Sequence, residues 1–268
     1  MTITLRNNIL RAGLAFTVVL FLGSACTVAL LELDSVLSGQ LSDMLRSQGN
    51  YAALVSLSEA FFFLLFSILA GVLLQVFFRK TTSSEMFYFI FFIISLSMEA
   101  ARVAQIYVQV ANLPPYYAVV LTRAIYFGRF FGVFCLFSAG LYATGIDYQR
   151  FEIVLGIALL IAFTLSFSIP VSSETTFPDL VNRLGGSAQV ILALFALQLF
   201  SVLNFVLASV LKRSRDYLIM AFGLLFAVVG LDLLYFTDAV IPAAAGAFLL
   251  SAGTVLFANR THEVYLWS

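Results

Sequence analysis

The sequence predicts an all-α polytopic membrane protein: eight transmembrane helices, both termini on the inner side, arranged as two parallel four-helix halves. Three observations lead there. The 268 residues are 62% hydrophobic and only 10% charged, against about 45–50% apolar and about 25% charged in a soluble domain. So much apolar surface cannot be buried inside one water-soluble body of this length. The apolar residues gather into eight runs, near 9–31, 52–78, 86–111, 116–145, 153–171, 187–211, 217–237 and 240–258. Finally, Lys and Arg outside the runs divide nine to two between the sides. Arg6, Arg11, Arg79, Lys80, Arg150, Lys212, Arg213, Arg215 and Arg260 fall on one side and Arg46 and Arg183 on the other. Basic residues are retained inside, which orients the chain.

Each run is long enough to cross a hydrocarbon core of about 30 Å as a helix. None alternates as a barrel strand would. The first follows Arg6 and Arg11 and carries Gly23-Ser24-Ala25-Cys26, a partial lipoprotein cleavage pattern. Gly23 stands where leucine is usual and the apolar run continues through Leu31, so a retained signal-anchor helix is expected. The fifth run is the shortest, and Pro170 is expected to end it. Two outer connections, 32–51 and 172–186, are polar and mildly amphipathic and are expected to lie as short helices along the surface.

The two connections match at a constant register, and after a small gap so do the helices that follow them. Asp43, Gly49 and Ala52 align with Asp179, Gly185 and Ala188. Across Leu65–Arg79 and Leu199–Arg213, eight of fifteen positions are identical, Ser67 with Ser201 and Arg79 with Arg213 among them. Similar composition alone leaves the matching Asp, Gly, Ser and Arg unexplained. A duplication of 1–150 as 151–268 within one integrated membrane domain is expected, its axis along the membrane normal.

Six ionisable residues fall inside runs: Glu59, Glu99, Arg102, Arg123, Arg129 and Asp232. Each costs at least ~2.5–3.5 kcal/mol near a bilayer centre, so they must find one another or water. On the 100° helical step, Glu99, Arg102 and Gln105 share one face of the third run, and Thr122, Arg123, Tyr126 and Arg129 share one face of the fourth. The expectation is a single site between the second, third, fourth and seventh helices, open to the outer side. Glu59, Glu99, Arg102, Arg123, Tyr126, Arg129 and Asp232 would line it, with a spare arginine for an anionic or zwitterionic ligand. A closed ion-pair network that only holds helices together is the alternative.

Other chemistry has little support. The formal charge is zero and no basic footprint suggests nucleic acid. His262 is the only histidine, and Cys26 and Cys135 form no metal-binding pair. No phosphate loop, zinc motif or nucleophile elbow occurs. No cofactor, no metal and no enzymatic activity are expected. The favoured reading is a ligand-sensing or partner-binding subunit of a bacterial inner membrane. Its inner loops and the aromatic tail Val264-Tyr265-Leu266-Trp267 would serve a membrane or cytoplasmic partner. A small-solute or ion transporter or channel, and a pure membrane scaffold, are the alternatives.

Overall fold

The computed structural model describes all residues except 1–2, 34–36, 38, 40–50, 80–82, 146–150, 172–186, 238 and 267–268, and the side chains of 3, 51–53, 187 and 266. The described residues form helices and no strand. Eight helices are long and apolar enough to cross a membrane. They are α1 (Ile3–Leu33), α2 (Tyr51–Phe77), α3 (Ser84–Val110), α4 (Pro115–Ala143), α5 (Phe151–Ser168), α6 (Ser187–Leu211), α7 (Arg215–Phe236) and α8 (Val240–Leu266). The chain is therefore read as a multi-pass membrane protein. The surface helices expected over 32–51 and 172–186 lie almost wholly outside the described residues.

Helix boundaries follow local chemistry. Ser83 caps α3 by accepting from the Met86 backbone N–H at 3.1 Å, and Ser214 caps α7 by accepting from Asp216 N–H at 3.3 Å. Pro115 starts α4, where its missing N–H costs nothing. The short turn before it is closed by Leu113 N–H donating to Val108 O, with Asn112 in the left-handed region.

α3 is the central helix. Eleven of its first twelve residues are buried, so the Phe87–Phe92 aromatic run is packing material. Stacked and edge-on rings bind this core to its neighbours: Phe89 to Phe257 of α8, and Tyr88 to Tyr142 of α4. α1 packs on α2 and α3, whereas α5 packs on α4. Large apolar side chains of α1, α5, α6 and α8, such as Leu22, Leu160, Leu192 and Phe248, point outward. They form the surface that lipid must cover.

Glycines set two close crossings. Gly128 and Gly132 on α4 lie against α3, where an added Cβ would meet Met98 Cβ at 2.5 Å and Ser95 Oγ at 2.4 Å. This is a small-xxx-small contact. Between α7 and α8 the seam is tighter still. Gly223 faces Gly253 and Gly230 faces Gly246, so backbone touches backbone along two turns.

The last turn of α8 is tied down. The Tyr265 hydroxyl donates to Glu85 Oε2 at 2.6 Å, and Ser83 Oγ donates to the same oxygen at 3.1 Å. Tyr265 of the aromatic tail thus docks on this chain's own α3. Replacing Tyr265 with phenylalanine removes a bond to a charged group. It should cost about 1.5–3 kcal/mol, read as a lower Tm in detergent.

Candidate functional site

Within α3 the helix tightens to 3-10 geometry over Leu96–Ala100. Ser95 and Ser97 donate back to Phe92 O and Ile94 O, both at 2.7 Å, competing with the ordinary helical bonds. With about three residues per turn, positions three apart eclipse. Glu99 and Arg102 thereby align on one side, Arg102 Nε lying 2.6 Å from Glu99 Oε2. The Gly128–Gly132 contact then brings the α4 backbone close enough for Arg129 to reach the same carboxylate. Arg129 Nε donates to Glu99 Oε1 at 2.8 Å and its Nη2 to Oε2 at 3.3 Å. On the other flank Arg102 Nη1 donates to Glu59 Oε2 of α2 at 3.2 Å.

The result is an alternating chain, Glu59–Arg102–Glu99–Arg129, buried throughout and formally neutral. Each guanidinium sits against one or two carboxylates, which offsets the cost of removing four charges from water. Nearby, Gln105 Nε2 donates to Thr122 Oγ1 at 2.7 Å and to Ala118 O at 3.2 Å, binding α3 to α4. Arg129 also lies 4.0 Å from the ring centroid of Tyr235 on α7 and 5.4 Å from that of Tyr126.

Two of the expected residues stand apart from this chain. Arg123 turns toward α5, its guanidinium 5.2 Å from the Phe167 ring centroid, and it makes no ion pair among the described residues. On the 100° step Arg123 stands about 120° around α4 from Arg129, so it leaves the side of the helix that meets Glu99. It is therefore removed from the expected single site. Asp232 remains at the edge. Its Oδ1 accepts from Gln198 Nε2 of α6 at 3.0 Å, and it makes no ion pair among the described residues.

Within the ion chain no arginine is spare; the one without an ion pair among the described residues is Arg123, outside it. One carboxylate, Glu99, serves both Arg102 and Arg129, because the i,i+3 alignment and the glycine contact place both guanidiniums beside it. Of the three expected carboxylates, the one without a salt bridge among the described residues is Asp232. It lines a cavity of about 20 Å³ with Tyr126, Arg129 and Tyr235, walled by Ile191, Leu194 and Phe195 of α6. That is room for one or two water molecules.

Gln198 joins the site although it stands apart from the intramembrane charges in the sequence; its signal is a buried polar side chain in an otherwise apolar run. Among the described residues, no group of three or more His, Cys, Asp or Glu could hold a metal. Comparison with protein-family models, curated proteins and solved structures finds no match to this chain.

Proposed function

We propose that the chain is an integral-membrane binding subunit, sensing a ligand or partner through the crevice between α4, α6 and α7. The observation that carries this reading is Asp232. It is a membrane-embedded carboxylate with an amide partner instead of a cation, and it faces a cavity instead of packed side chains. Intramembrane carboxylates left without an ionic partner are costly, and they are retained where they meet substrate, proton or ligand. The neutral Glu59–Arg102–Glu99–Arg129 chain forms the fixed wall behind the crevice.

The nine-to-two basic asymmetry orients the crevice toward the outer face of a bacterial inner membrane, with both termini inside. The duplicated halves belong to the same proposal, with Ser67 and Ser201 at equivalent positions. The glycine seam makes α7 and α8 a stiff pair. Asp232 lies near one end of that pair and Tyr265, held by Glu85, near the other. A shift of α7 at an occupied crevice would reach the inner end through this pair, where a partner could read it.

A hydrophobic carbodiimide tests the site directly, since it adds to membrane carboxyls that are not locked in ion pairs. Dicyclohexylcarbodiimide should modify Asp232 and spare Glu59 and Glu99, as read by peptide mass spectrometry. Asp232→Asn should abolish the adduct and change stability by less than about 1 kcal/mol, because no ion pair is lost. Labelling that falls on Glu59 or Glu99 and misses Asp232 would overturn the reading in favour of a scaffold.

A further inference from the structure

We infer that the crevice beside Asp232 receives the head of a primary ammonium group carried on a slender apolar chain. The inference rests on the crevice being a binding site and names what it binds. Its acceptors set the chemistry. Gln198 is 3% exposed, its Nε2 is spent on Asp232, and its Oε1 is buried with no hydrogen-bond partner among the described residues. An unused amide oxygen beside a carboxylate asks for a donor with several N–H groups and positive charge. An ammonium offers three donors and no acceptor. Two can meet Asp232 and Gln198 Oε1, which line the same space.

Neighbouring charges agree with that sign. The Arg129 guanidinium also lines this cavity, but its Nε and Nη2 are held on Glu99, so an ammonium is drawn to the side that carries Asp232 and the Gln198 oxygen. Arg123, the arginine outside the ion chain, faces Phe167 and does not line this cavity. An anionic guest would meet the Asp232 carboxylate, which makes no salt bridge among the described residues.

Size narrows the class. About 20 Å³ accommodates a group the size of one or two waters. An –NH3⁺ head fits; a trimethylammonium head, with three methyl groups around the charge, does not. Ile191, Leu194, Phe195 and Phe236 form an apolar rim suited to a methylene chain. Asp232 lies four residues from the end of α7, about 6 Å along the axis. A short chain entering from the interface reaches it. The same chemistry comes from a free alkylamine or from the headgroup of phosphatidylethanolamine.

The test uses the full-length protein in detergent, with thermal unfolding measured against sodium chloride at matched ionic strength. Butylammonium chloride should raise Tm in a concentration-dependent way, and tetramethylammonium chloride should not. The rise should vanish in Asp232→Asn and in Gln198→Leu. In a second arm, delipidated protein receives phosphatidylethanolamine or phosphatidylcholine. Stabilisation by the former alone identifies the lipid headgroup as source, and a response to butylammonium alone identifies a free amine. No rise with any primary amine, an equal rise with tetramethylammonium, or a rise that survives Asp232→Asn would overturn the inference. The carbodiimide adduct separates the two levels. If Asp232 is labelled and amines do nothing, the site stands and its ligand class falls; if Asp232 is not labelled, both fall.

Discussion

Replacing Glu99 with leucine should destabilise the protein by about 3–5 kcal/mol, the usual cost of stranding a buried charge. Glu99 is the node of the ion chain. Without it Arg129 loses both of its charged bonds, while Arg102 keeps only Glu59. The side chains are buried, so no water is at hand to replace the carboxylate. The measurement is reversible denaturation in detergent, or Tm where unfolding is irreversible. Adding Arg129→Met to the variant removes the stranded cation and leaves the neutral Glu59–Arg102 pair. The double variant should recover much of the loss, with a coupling of about 0.5–3 kcal/mol. If it is no more stable than Glu99→Leu alone, charge balance is not what holds α2, α3 and α4 together.

The second large effect belongs to the α7–α8 seam. A Cβ on Gly253 would stand 2.4 Å from Ala227 N and 2.5 Å from Gly223 O, and one on Gly230 would stand 2.4 Å from Leu250 N. These neighbours are backbone atoms, which cannot rotate away. Gly253→Leu should therefore push the helices apart and cost at least about 1–3 kcal/mol. Gly156→Ala is the control, because nothing lies within 4 Å of the added carbon. There, better helix propensity should stabilise by up to about 1 kcal/mol. Thermal denaturation of the two variants in the same detergent makes the comparison. Equal effects would mean that the seam is not a close-packed contact.

Much of the fold could be read along the chain because each transmembrane helix satisfies its own backbone. A run of apolar residues long enough to cross the bilayer is a nearly complete statement of one element. Eight such runs are legible and eight matching helices are found. Glu99 and Arg102 could also be placed together, since their spacing alone puts them on one helical face.

Which helix meets which was not legible, because it depends on how closely two backbones can approach. The Gly128-x3-Gly132 spacing and the seven-residue pairs Gly223/Gly230 and Gly246/Gly253 stand in the sequence, but nothing local distinguishes a contact glycine from a lipid-facing one such as Gly156. That approach decided the ion chain, by bringing Arg129 to Glu99 and letting one carboxylate satisfy two arginines. A separation of about 120° around α4 from Arg129 sent Arg123 to Phe167 instead. The residues carrying intramembrane charge were thus set by composition and period. The tertiary packing alone decided that Asp232 would line the cavity without an ion pair while Arg129 beside it is held by Glu99, because ion pairing is settled by distances between helices and not by positions within them.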